Sequence, residues 1–109
     1  MKVIFLPEIL DYFEDLMVIL YEKEYFGYED SARNYVTELV NDIKENLPNR
    51  LHKPAPKYFD KYGKNMEYAG FRKNKNTIWY AFFTSYKVNR ETIYLVRHIA
   101  NNHTISQYL

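Results

Sequence analysis

The chain has 109 residues, the size of one ordinary domain, and its 47% hydrophobic and 27% charged residues exclude a disordered chain. The absence of cysteine excludes disulfide frameworks, thiol nucleophiles and cysteine-ligated zinc or iron–sulfur centres. The formal net charge of +1 conceals two unlike halves: residues 1–47 carry 4 Lys/Arg against 11 Asp/Glu, a balance of −7, and residues 48–109 carry 11 against 3, a balance of +8.

Such asymmetry predicts one acidic and one basic region, the basic one suited to a polyanion or an acidic partner. No apolar run approaches the roughly 18 residues of a membrane span. The opening stretch Met1–Pro7 is too short for a signal peptide, with no small-residue cleavage site after it. A cytoplasmic protein without membrane contact is expected. Aromatic residues are abundant, with 12 Tyr, 7 Phe and 1 Trp; tyrosine suits half-buried strands, wet interfaces and base stacking alike.

Lys2 to Leu6 reads as a short strand. Pro7 then fits a first helical position, where its missing N–H is no loss, and Glu8 favours the positive helix end. Ile9, Phe13, Leu16, Met17 and Leu20 recur at helical spacing, with Asp11, Glu14, Asp15 and Glu22 on other sides. Gly27 breaks this pattern. A second helix is predicted from about Asp30, with Ser31 as cap, and its stripe is Ala32, Tyr35, Val36, Leu39, Val40, Ile43 and Leu47. Pro48 ends it. Residues 48–65 hold three prolines and five basic residues, which predicts a turn-rich surface connection. The period then becomes alternating. Strands are predicted over Met66–Lys73, Thr77–Ser85 and Thr92–Ala100, joined by turns at Asn74–Asn76 and Lys87–Arg90. The polar tail from Asn101 has room for one last helical turn.

One strand, two helices and a three-strand meander predict an α+β fold: two helices packed on one face of a mostly antiparallel four-stranded sheet. Strand parity places Phe71, Trp79, Phe83, Leu95 and Ile99 toward the helices. Tyr68, Arg72, Tyr80, Tyr94 and His98 then alternate onto an open face, and Arg97 falls on the apolar side, where it fits only near an edge.

The element order, the segment Tyr68-Ala-Gly-Phe-Arg-Lys-Asn leading into Thr77-Ile-Trp-Tyr-Ala-Phe-Phe, and the late Ile93-Tyr-Leu-Val-Arg-His-Ile-Ala-Asn-Asn-His resemble the RelE/ParE superfamily. Its members are toxins of type II toxin–antitoxin systems, and the resemblance runs over essentially the whole chain. Two activities are implied. In the ribosome-dependent ribonucleases the 2′-hydroxyl of mRNA attacks its own phosphodiester without metal or cofactor, so the protein supplies proton transfer and positive charge. The positions matching that set are Arg72, Arg97, His98, His103 and Tyr108 for catalysis. Lys53, Lys57, Lys61 and Lys64 match the lysines before the second strand, and Lys73 and Lys75 add to them as RNA-binding cations. In the second kind the protein binds DNA gyrase and hydrolyses nothing; a histidine near the end of the final strand, matched by His98, is common there. A third reading keeps only the fold and contact with a cognate antitoxin.

The residues leave the choice among these readings open. Arg72 at a strand end fits an ion pair with Glu67 or Glu91 as well as a phosphate contact. His98 fits a structural histidine as well as an acid or base. Tyr58 and Tyr62 interleave with the lysines as a base-stacking platform would. Neither a metal site nor a glycine-rich phosphate loop is expected from His98 and His103 or from the three glycines. The resemblance implies an antitoxin segment that wraps the helices and covers the basic face, with the Lys2–Leu6 edge as one docking site.

Overall fold

The computed structural model describes residues 1–23 and 29–109; Gly27 lies outside them. Strand β1 (Lys2–Phe5) leads into helix α1 (Pro7–Glu22), with Pro7 in the first turn and Glu8 beside it. Helix α2 (Glu29–Asn46) follows and is closed by a 3-10 turn at Leu47–Asn49 that contains Pro48. Because α2 already runs from Glu29, Ser31 sits inside the helix and does not cap it.

The sheet has five strands, not four, in the order β1-β5-β4-β3-β2. The extra strand is β2 (Lys53–Pro54), two residues that pair antiparallel with Tyr68 and Glu67. A two-residue strand carries no periodic signal, and a proline in it is tolerated only at a sheet edge. Strands β3 (Glu67–Arg72), β4 (Ile78–Val88) and β5 (Glu91–Asn101) form the antiparallel meander. Strand β1 pairs with β5 in parallel, Lys2 with Ile93 through Phe5 with Val96. A short α3 (Asn102–Ile105) and a 3-10 turn at Ser106–Tyr108 close the chain.

The helices cover one face. Ile9, Phe13 and Leu16 of α1 and Val36, Leu39 and Ile43 of α2 pack with Leu47 on Ala69, Phe71, Trp79, Ala81, Phe83, Tyr94, Val96 and Ile99. The Trp79 indole N–H donates to the Tyr35 hydroxyl at 2.9 Å, which satisfies its polar atom against α2.

Two features correct the simple parity. Phe82 pairs with His98 but Phe83 pairs with Val96, so Arg97 is the extra residue of a β-bulge. The bulge shifts the alternation by one, and Tyr94 and Val96 therefore join Ile99 on the helix side while Leu95 does not. Arg97 itself is released from the apolar side and reaches Thr84 and Tyr86. The second face, moreover, is not open. The 3-10 helix Lys57–Tyr62 and α3 lie over it, burying Phe59, Met66, Phe82, Ala100 and Ile105 in a separate small core. Gly63 lets the chain cross closely above Arg97, since a Cβ at residue 63 would stand 2.8 Å from the Arg97 Cδ.

The β4–β5 turn places Asn89 at φ 50° and Arg90 at φ 70°, the left-handed pair of a two-residue hairpin. Asparagine tolerates that conformation and arginine does not favour it. Arg90→Gly is therefore expected to raise stability by about 1 kcal/mol, read as a higher denaturation midpoint in urea; an unchanged or lower midpoint counts against that turn geometry.

Candidate functional site

Three groups of polar side chains stand out, one at the open edge of β3 and two on the face away from the helices. The first is a groove of about 630 Å³ along β3 beyond the end of β2, lined by Arg50, Lys53, Tyr68, Gly70, Arg72 and Tyr80 among others. Its shape follows from the local sequence. Strand β2 stops at Pro54, so the rest of the β3 edge stays unpaired. Gly70 has no side chain to fill the floor, where a Cβ would already press on Ile78 at 3.3 Å. No aspartate or glutamate lines the groove. Arg72 is exposed and donates from Nη1 to the Asn74 and Lys75 carbonyls at 3.4 and 3.1 Å, which fixes its stem against the β3–β4 hairpin. Arg50 shares its charge with Asp42 at 3.3 Å, an exposed contact of small energetic weight.

The second group surrounds His98. Tyr62 stacks flat on the imidazole, with ring centroids 3.7 Å apart and planes 7° from parallel. Phe82 and Phe59 lie against it at 5.6 and 6.4 Å. Burial among these rings, and then the nearby Lys61 charge, push the His98 pKa down from 6.5 to about 4. Lys61 holds its ammonium 4.0 Å above the Tyr58 ring, and Tyr58 stacks on Tyr108 at 3.6 Å. The hydrogen bond between Lys61 and Tyr58 raises the lysine pKa and lowers that of the phenol.

The third group is a ring of hydrogen bonds at the bulge. Arg97 donates from Nε to Thr84 Oγ1 and from Nη2 to the Tyr86 hydroxyl, and Thr84 donates to the same hydroxyl, each at 3.1 Å. Donation from Thr84 and then from Arg97 lowers the Tyr86 pKa.

The residues singled out in the sequence therefore divide among several places. His98 and Arg97 are neighbours at the bulge, and Tyr108 is tied through Tyr58 to the same layer. Arg72 shares their face, yet it lies four residues along and two strands across from His98, roughly 16 Å at ordinary strand spacings. His103 is exposed at the β3–β4 end, where its Nε2 hydrogen-bonds the Thr77 hydroxyl at 3.1 Å. Lys73 turns to the helix side, 3.4 Å from Glu38 and 5.0 Å from the Tyr35 ring centroid. Lys53 stands in β2, whereas Lys57, Lys64 and Lys75 are exposed on turns or the covering 3-10 helix. Neither Glu67 nor Glu91 is the partner of Arg72; backbone carbonyls are.

Sequence reasoning missed Arg50 as a groove residue and Tyr86 and Thr84 as partners of Arg97. Arg50 sits in the basic stretch and was recoverable; the Thr84–Tyr86–Arg97 ring depends on a bulge and was not. His52, the third histidine, donates to the Leu47 carbonyl at 2.7 Å and sets its ring edge-on to Phe83, a structural placement. Among the described residues no three histidine, aspartate or glutamate side chains gather as metal ligands would, and no helix is long and apolar enough to cross a membrane. No family model, no curated protein and no solved structure matches this chain.

His98 makes a pH prediction. Its folded pKa lies below its ordinary value, so between about pH 6.5 and 4 the unfolded chain binds the extra proton. The stability that neutral His98 contributes is complete above pH 6.5 and is shed as the pH falls toward 4. An NMR titration of the imidazole C–H signal is expected to show its midpoint near 4; a midpoint near 6.5 contradicts the buried, stacked environment.

Proposed function

We propose that this protein is a RelE/ParE-like toxin domain that grips a single RNA strand and cuts mRNA on the ribosome, held in check by a cognate antitoxin. The observation that carries the reading is the groove itself: Arg50, Lys53 and Arg72 with Tyr68 and Tyr80 and no acidic side chain among its lining residues. Cations gathered in one groove neutralise backbone phosphates, and tyrosines beside them offer faces to unpaired bases. The −7 half of the chain supplies both helices on the other face of the sheet; of its acids Asp42 reaches Arg50 at the rim of the groove, and none lines the groove itself. In this reading Arg72 stabilises charge at the scissile phosphate, and His103 and Tyr108, at the same end of the molecule or against the groove-side layer, are the proton-transfer groups. No metal or cofactor takes part.

A gyrase-binding protein is the second reading, and a specific observation favours it. His98 is stacked, depressed in pKa and remote from Arg72, an arrangement for packing and recognition more than for exchanging protons with RNA. The experiment is a reconstituted translation reaction with mRNA ends mapped by primer extension. New ends that require ribosomes, and vanish with Arg72→Ala, support the nuclease. Intact message at high protein concentration rejects it, and inhibition of supercoiling by purified gyrase then establishes the alternative.

A further inference from the structure

The outer edge of β4 is free at one end. The last pair between β3 and β4 is Glu67 with Phe83, yet β4 runs on to Val88, paired there only with β5. The chain before β3 does not continue the pairing. It turns at Asn65, which adopts φ 56°, and crosses above the sheet through Gly63 over Arg97. Among the described residues no strand pairs with 84–88 on that side, and Ser85 through Arg90 are all exposed. Such a run is a template for one more strand. Farther along the same side, β2 covers only two residues of β3, and Pro54 and Pro56 blunt the edge of β2 itself.

The side chains around the free run specify what can pair with it. Lys87 and Arg90 stand on the hairpin, and Arg97 lies on the flank with Thr84 and Tyr86. Only part of the Arg97 guanidinium is used by those two hydroxyls, which leaves N–H groups for a carboxylate. Among the described residues the acids on the elements around this run are Glu91, paired across from Val88, Glu67 at the start of β3, and Asp60 on the covering 3-10 helix. Tyr86 and Val88 are 45% and 51% exposed, an apolar surface that alternate side chains of an incoming strand would cover. The hydrogen-bond ring holds Tyr86 in place before any partner arrives, which reduces the ordering that binding requires.

From this geometry we infer that Thr84–Val88 is the docking edge for an extended, acidic segment of a partner protein, which adds to β4 as a strand in the line that β3 vacates. Main-chain hydrogen bonds supply the binding, and the cations of the hairpin and bulge select acidic over basic segments. This inference is independent of the RNA groove: it stands or falls whether or not the protein cuts RNA.

The test follows amide signals of the intact protein by NMR during titration with a capped hexapeptide of alternating glutamate and valine. Shifts and slowed hydrogen exchange are expected at residues 84–88, and the same peptide with lysine for glutamate is expected to bind at least tenfold more weakly. The double variant K87E/R90E, changed only at exposed positions, should lose about tenfold in affinity for the glutamate peptide. Peptides N-methylated on alternate residues, made in both registers, separate strand addition from simple charge attraction, since one register must fail to bind. Unshifted 84–88 signals at millimolar peptide, equal binding of both N-methylated registers, or the same shifts produced by a uridine decamer would each overturn the proposal.

Discussion

Replacing Phe82 by alanine is expected to lower the stability of this protein by about 3–5 kcal/mol, the range for a fully buried phenylalanine. Phe82 is wholly buried at the centre of β4, stacked on Phe59 with centroids 4.4 Å apart and flanked by Tyr68 at 5.3 Å. It is the residue on which the covering 3-10 helix rests. Truncation removes its transfer free energy and opens a cavity that the rigid sheet cannot collapse, and it also removes aromatic contacts worth about 0.5–1.5 kcal/mol each. Set against a total of about 5–15 kcal/mol for a domain, that loss threatens the whole fold. Urea denaturation at constant m-value measures it, and Phe82→Leu should cost clearly less because it keeps most of the volume. A loss under about 1 kcal/mol for Phe82→Ala would mean that residues 57–62 do not pack on the sheet.

The second large effect separates two adjacent cations. On the proposed nuclease reading, Arg72→Ala should lower ribosome-dependent mRNA cleavage by about two to three powers of ten, as removal of an oxyanion-type stabiliser does elsewhere. Lys73→Ala should change it less than about threefold, because Lys73 is turned through the sheet toward Glu38 and Tyr35. Composition assigns the two residues the same role; strand alternation assigns them opposite faces. Arg72→Lys is expected to recover only part of the rate, since an ammonium cannot reproduce the planar fork that also grips the Asn74 and Lys75 carbonyls. Equal effects of Arg72→Ala and Lys73→Ala, with both proteins folded, would remove the groove from the mechanism.

Much of the architecture was legible because it rests on periodicity. The stripe from Ala32 to Leu47 is the buried face of α2, with Ala32, Val36, Leu39, Ile43 and Leu47 fully covered. The strands β3, β4 and β5 fall within a few residues of the alternating segments, and the hairpin at Asn74–Asn76 is where the turn residues stand. Pro7 opens α1 and Pro48 closes the run after α2, each through its missing N–H. The candidate site was far less legible. Arg72, Arg97 and His98 are all on the predicted strands, but nothing local to the chain says that a bulge at Arg97 shifts the register between two strands. Tyr94 and Leu95 exchange faces for the same reason.

Composition, the two opposed charge halves and the hydrophobic periods by themselves determine an α+β domain whose helices are acidic and whose basic half supplies most of the sheet. These are properties of near neighbours along the chain, and short-range sterics and the hydrophobic effect read them directly. The fifth strand, the bulge, the aromatic layer over His98 and the free edge of β4 were decided only by tertiary structure. Each arises where segments distant in sequence compete for the same surface: Phe59 covers Phe82, Gly63 passes over Arg97, and the chain before β3 leaves the edge of β4 unpaired. The outcome of that competition depends on close packing between side chains tens of residues apart, which no local pattern encodes.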